Sequence, residues 1–177
     1  MGRSHTMPDK MTDTTRTDAK PLGASPRGIQ MGTHMATPAL TRKELLERLR
    51  SEFPQAGYAV GDYEIEELWR GGCRLRQRND KRALRPGGTL SGATVMALGD
   101  FAMYLAVLSA IGWVPLAVTT NLTINFLKKP PPGDLIAEAR LLKLGRQLAV
   151  GEVAIRADSG EDIVAHVTST YSIPAVK

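Results

Sequence analysis

Cysteine is almost absent from this chain: Cys73 is the only one in 177 residues. No intramolecular disulfide framework can form, and a reducing cytoplasm is the expected setting. Histidine is nearly as scarce. His5, His34 and His166 lie far apart in the sequence, so no metal site is expected, and a Ser–His–Asp triad has only His166 to draw on, without local support. Aromatic residues make up 5% of the chain and none interleaves its basic run, which argues against a base-stacking platform. There is no GxxxxGK[ST] phosphate loop, no strand–GxGxxG–helix unit and no GxSxG elbow. The N-terminus has no apolar run after its first arginine, so no secretory signal is read there.

Charge is missing from one long stretch. Between Pro86 and Leu127 the only charged side chain is Asp100. It stands in GATVMALGDFAMYLAVLSAIGW, Gly92 to Trp113, where apolar residues occupy every side of a helix, the pattern of a buried helix. A buried carboxylate is costly unless paired, protonated or used. Asp100 is therefore either tied to backbone amides or an arginine, or is a working carboxylate in a mostly apolar pocket. Phe101 to Val118 is uncharged and long enough to raise the question of a membrane span. Asp100 at its head, Gly112 and Pro115 inside it, and the lack of an immediately flanking Lys/Arg cluster argue against one.

What is present suits one soluble domain: 42% hydrophobic residues, 23% charged, and a net charge of +5. The basic balance fits an anionic ligand, whether phosphate-bearing or nucleic acid. Residues 1–39 are rich in Thr, Gly, Pro, Asp and Met and poor in aliphatics, so they read as a disordered leader. GTHM before Ala36 resembles a cloning remnant, and Met35 is an alternative start. Residues 40–177 are read as the single domain. Thr41 opens a helix with Glu44 completing a capping box; Leu45, Leu46 and Leu49 share a face, and Pro54 ends it. Asp62–Trp69 and Cys73–Arg78 read as a hairpin turning at Gly71-Gly72, with a bulge expected near the adjacent Glu66 and Glu67.

Arg74, Arg76 and Arg78 share one face of the second strand, and Lys81, Arg82 and Arg85 continue the basic run. That run is either a solvated face neutralised by Asp62, Glu64 and Glu66, or a phosphate site, with Lys128 and Lys129 as rival phosphate ligands. RPGGTLSG, Arg85–Gly92, is a loop with Thr89 or Ser91 as N-cap. Strands follow over Val118–Phe126, Asp134–Leu144, Leu148–Ala157 and Ile163–Ile173. In the first of these Val118, Leu122, Ile124 and Phe126 form the apolar set, opposite Thr119, Asn121, Thr123 and Asn125. His166 falls on the polar face of the last. The expected fold is α+β, an antiparallel five- or six-stranded sheet wrapped round one long buried helix.

RPGGTLSGATVMALGDFAMYLAVL, AVTTNLTINFLKKPPPGDLIAEARLLKLGRQLAVGEVAI and VAHVTSTYSI together resemble the hot-dog-fold thioesterases of the phenylacetate-degradation (PaaI-like) group over roughly residues 60 to 173. The resemblance implies hydrolysis of acyl-CoA thioesters, no cofactor, and a homodimer or homotetramer, with no nucleic acid partner. It places the family's acid on Asp100, as general base or nucleophile. The glycine whose amide faces the thioester oxygen falls on Gly92, and a hydroxyl residue that helps position water falls on Thr119. Ser91-Gly92-Ala93 stands where the family has His-Gly-Gly, and Arg85 where it commonly has Asn, so Ser91, Ala93 and Arg85 join the expected substrate contacts. Met96, Met103, Tyr104 and Val107 lie on the Asp100 face and are candidates for an acyl pocket, with at least two expected to be ordinary core. The rival readings are an acyl-CoA-binding hot-dog protein without turnover and a basic nucleic-acid-binding module. A hot-dog dehydratase is disfavoured, because the helix has no histidine beside its acid.

Helix geometry adds an expectation about assembly. Gly92 and Asp100 are separated by roughly 12 Å along one helix, whereas a reacting carbonyl must lie within about 3 Å of both nucleophile and oxyanion donors. A two-fold homodimer, with Asp100 from one chain and Gly92 from the other, meets that requirement.

Overall fold

The computed structural model describes residues 36–53, 63–79 and 83–175. Residues 1–35, Pro54, Asp62, Lys81 and Arg82, and the expectations placed on them, lie outside the described residues. The sequence's long apolar segment forms α2 (Gly92–Ile111), whose second half is enclosed: Ala102 through Ala110 are all buried. On length and composition α2 is able to cross a membrane, but most of it is buried inside the fold. It is the core helix, and a sheet covers it.

That sheet has six antiparallel strands: β1 (Tyr63–Trp69), β2 (Gly72–Gln77), β5 (Val118–Phe126), β6 (Leu135–Leu144), β7 (Leu148–Ala157) and β8 (Ile163–Ser172). Their order is β1-β2-β6-β7-β8-β5, so β5 is an edge strand. Alternation decides which face each residue joins. Leu75, Leu135, Val153, Ile155 and Val167 turn inward against α2 and are fully buried. A second, small ribbon pairs β3 (Leu84–Arg85) with β4 (Thr89–Leu90), a pairing inside what reads in sequence as a plain loop. α1 (Arg42–Glu52) has the expected capping box at Thr41 and buries Leu45 and Leu49. Just before it, the backbone of Ala36 accepts from Arg70 and Ala39 donates to Ser109, so the chain is already tied to the domain ahead of residue 40.

The β1–β2 turn lies one residue earlier than expected. Trp69 pairs with Gly72, so Arg70-Gly71 forms the turn and Gly72 is already strand. Gly71 supplies the positive φ of 78°. Gly72 is needed for space instead: a Cβ there would stand 2.2 Å from the Trp69 indole nitrogen. The expected bulge occurs between Ile65 and Glu67.

The outer face of the sheet answers the question of the basic run. Arg74 donates to Glu66 (2.7 Å) and Glu138 (2.6 Å), Arg76 to Glu66, Asp134 and Asp158, and Arg78 to Glu64. Arg156 also reaches Glu138. Arg74, Arg76 and Arg78 therefore belong to an ion-pair layer, not to a free phosphate site. His166 sits on this outer face, as expected for the polar side of β8, and meets Glu152, which Arg140 also holds. Burial works against the Glu152 charge, but hydrogen bonds from Arg140 and His166 outweigh it and hold its carboxyl below the usual range.

Candidate active site

The first half of α2 is where the enclosure opens. Gly92, Ala93, Met96 and Ala97 are exposed and Asp100 is half-buried. Asp100 therefore stands at the margin of the core rather than deep inside it. Its Oδ1 accepts a hydrogen bond from the Thr119 hydroxyl at 2.7 Å and another from the Tyr171 phenol at 2.8 Å. No backbone amide or arginine holds it among the described residues, so the bland alternative of a purely tied-off carboxylate is not what the geometry presents.

Thr119 reaches Asp100 because of a break in β5. Strict alternation puts Thr119 with Asn121 on the polar face. The register shifts between Thr119 and Asn121, leaving Thr120 as the extra residue. The extra residue turns Thr119 inward, onto the same face as Leu122 and Ile124, and moves Val118 outward. Thr119 pairs directly with Tyr171 across the β5–β8 ladder, so the two hydroxyls arrive side by side. Sequence reasoning missed Tyr171; its inward position at the end of β8 was the available signal.

The helix start is built for capping. Ser91 accepts from the Thr94 amide at 3.1 Å, and the Val95 amide bonds to the Ser91 carbonyl. This leaves the Gly92 and Ala93 amides without a partner among the described residues, the usual state of first-turn donors. Gly92 packs against the end of β5: a Cβ there would lie 3.3 Å from the Phe126 ring. A cleft of about 360 Å³ opens beside it, lined among others by Arg85, Gly92, Phe126, Lys128 and Lys129. Lys128 is engaged with Asp162. Arg85 and Lys129 have no ionic partner among the described residues. A larger groove of about 760 Å³, at the β6–β7 hairpin, is lined by Lys143, Arg146, Leu148 and Val150. Leu148 and Val150 flank the inward-facing, fully buried Ala149, so that groove opens on the outer face of the sheet, away from Asp100.

The expected acyl-pocket residues separate. Met96 remains exposed, at 43%. Met103 and Val107 are fully buried, and Met103 lies against Gly151 in the middle of β7; both are core. Tyr104 is also enclosed, its phenol donating to the Pro115 carbonyl and its ring stacked on Tyr171 at 6.3 Å. The lone Cys73 is fully buried, its thiol donating to the Ala102 carbonyl, and burial pushes that thiol up to about 12, which removes it as a nucleophile. The described residues contain no cluster of His, Cys, Asp or Glu able to hold a metal ion.

Comparison with known proteins agrees with this fold. The family model "Thioesterase superfamily" matches residues 87–164. A protein of Saccharolobus solfataricus that carries an esterase designation is 30% identical over 136 residues, 77% of this chain and 87% of its own length. A crystal structure from Silicibacter sp. TM1040, designated a thioesterase, is 42% identical with a TM-score of 0.70, covering 78% of this chain and 94% of that one. A Streptococcus pneumoniae thioesterase protein solved with coenzyme A is 25% identical, TM-score 0.63, over 71% and 96% of the two chains. The Escherichia coli PaaI protein, at 20% identity and TM-score 0.63 over 73% and 92%, shares the fold.

Proposed function

The chain belongs to the hot-dog-fold thioesterase superfamily, and from that membership we propose that it is a PaaI-like member that hydrolyses acyl-CoA thioesters to the free acid and CoA, with Asp100 as the working carboxylate. The observation that carries this reading is the state of Asp100: half-buried, gripped through Oδ1 by two hydroxyls, with its side chain at the open margin of the core. The coenzyme A complex of the pneumococcal relative supports CoA as the leaving group.

In this reading Asp100 takes a proton from a water as the water oxygen bonds to the thioester carbonyl carbon. The tetrahedral adduct collapses, the C–S bond breaks, and the proton returns from Asp100 to the departing thiolate. The Gly92 amide, with Ala93 beside it, stabilises the oxyanion. Thr119 directs its hydroxyl hydrogen to Asp100 Oδ1, so its oxygen lone pairs remain free to accept a hydrogen bond from the attacking water.

The reading requires two chains. Within one chain Asp100 adjoins Thr119 at one end of β5, while Gly92 adjoins Phe126 at the other. β5 is an edge strand and is exposed at seven of its nine positions, an arrangement that solitary proteins avoid. Two β5 strands paired antiparallel about their middle bring one chain's Asp100 to the partner's helix start. We assign CoA's phosphates to Arg85 and Lys129 of the chain that supplies Gly92. A hydrolysis screen over short, long and aromatic acyl-CoA thioesters, read by free-thiol release, tests the function. Turnover that disappears in Asp100→Asn supports it. Tight acyl-CoA binding without thiol release places the protein among non-catalytic binders, and salt-sensitive nucleic acid binding in place of both moves it to another class.

A further inference from the structure

We infer that Tyr171 is a positioning residue for Asp100, holding Oδ1 together with Thr119 so that Oδ2 is the oxygen that meets the reacting water. The inference rests on the thioesterase reading and concerns how its carboxylate is aimed. Three observations carry it. First, the Tyr171 phenol lies 2.8 Å from Oδ1 and 3.0 Å from the Asp100 backbone carbonyl, so it spans the side chain and the helix that bears it. Second, Tyr171 and Thr119 are register partners on adjacent strands, and both hydroxyls converge on the same oxygen. Two donors occupy both lone-pair directions of Oδ1, whereas no donor among the described residues reaches Oδ2. Third, the phenol is itself immobilised. Tyr171 is 2% exposed and its ring stacks on Tyr104, whose hydroxyl is tied to Pro115.

The phenol also stays a donor. Burial raises its pKa well above the ordinary value of 10; the adjacent Thr119 hydroxyl opposes this, and the nearby Asp100 charge adds to it. The hydroxyl is therefore protonated wherever the enzyme works. The β5 bulge serves the same arrangement, because without it Thr119 turns to the outer face and Oδ1 loses its second donor. A carboxylate fixed at one oxygen and free at the other gives the proton transfer a single geometry, which is where positioning acts on rate.

Tyr171→Phe separates positioning from packing, since the ring and its stack on Tyr104 remain. The expected result is a kcat lower by about 10- to 100-fold with KM within about twofold, at unchanged melting temperature and oligomeric state. Thr119→Val should show the same split. A Tyr171→Phe protein with wild-type kcat, or one whose only change is in KM, overturns the inference. Absence of turnover in the wild type would reject the functional reading instead, and a second measurement then decides the clamp. In the crystal structure of Tyr171→Phe the Asp100 carboxylate should rotate away from its wild-type orientation; an unmoved carboxylate overturns the inference.

Discussion

Asp100 is the one charge between Pro86 and Leu127, and its place on the helix decides how it can act. The helix is buried from Ala102 through Ala110 and leaves one face of its first half open, and Asp100 lies where one passes into the other. Asp100→Asn keeps the shape and the acceptor oxygen but removes the base. It should lower turnover by about 10²- to 10⁴-fold with acyl-CoA binding retained, measured by thiol release and by calorimetry. Arg85 makes a separate prediction. It is exposed beside Gly92 in the cleft, so Arg85→Ala should raise KM for acyl-CoA by about tenfold, and raise it far less for a pantetheine thioester that lacks the nucleotide. Equal effects on both would assign Arg85 to the reacting end. The partners of Asp100 were less legible than Asp100 itself. Alternation puts Thr119 on the polar side of β5, and one bulged residue reverses that, a change of pairing that a single strand's pattern does not encode. Tyr171 depends on that pairing too. Which of Met96, Met103, Tyr104 and Val107 would be core was not legible for a related reason: a helical face tells which residues are neighbours, but the core's boundary along the helix is set by the sheet that covers it.

At the scale of elements, the helix and the strands read well because period and turn chemistry agree: the capping box of α1, the glycine turn after β1 and the runs of β5 to β8 all stand close to their expected limits. The outer face was harder. The sequence offered three arginines at alternate positions and two uses for them; Glu64 and Glu66 of β1 do neutralise them as that pattern allowed, and the further acids, Glu138 of β6, Asp134 just before it and Asp158 after β7, come from non-local pairing. Arg76 is the hub of this layer. Burial disfavours the Glu66 charge, but hydrogen bonds from Arg74 and Arg76 together outweigh it and hold its carboxyl below the ordinary 4.5. Arg76 likewise lowers the Asp158 carboxyl. Carboxylates held low in the folded state stabilise it above the ordinary carboxylate range, and that contribution is lost as pH falls through their lowered values. Arg76→Met should therefore lower the melting temperature near pH 7, by an amount corresponding to roughly 1–3 kcal/mol. The gap to wild type should narrow as pH falls toward about 3. A gap that is constant across this range would mean that the Arg76 stem, and not its charge, holds the layer together.

At the scale of the whole molecule, one chain presents the two halves of a site at opposite ends of the same edge strand. The acid lies with Thr119, the free helix amides lie with Phe126, and the strand between them is exposed. Helix rise alone separates Gly92 from Asp100 by about 12 Å, which is why the expectation of a shared site arose from sequence; the edge position of β5 did not, because strand order depends on non-local pairing. The most direct test is complementation between inactive subunits. Asp100→Asn lacks the base. Gly92→Val carries a side chain that meets Phe126 and obstructs the helix start, so it too should be inactive. After confirmed subunit exchange, half of the dimers in an equal mixture are mixed, and each of these holds one site with a native Asp100 and a native Gly92. About one quarter of wild-type activity should return. Exchange confirmed with no activity recovered, or a fully active monomer, would contradict the shared site.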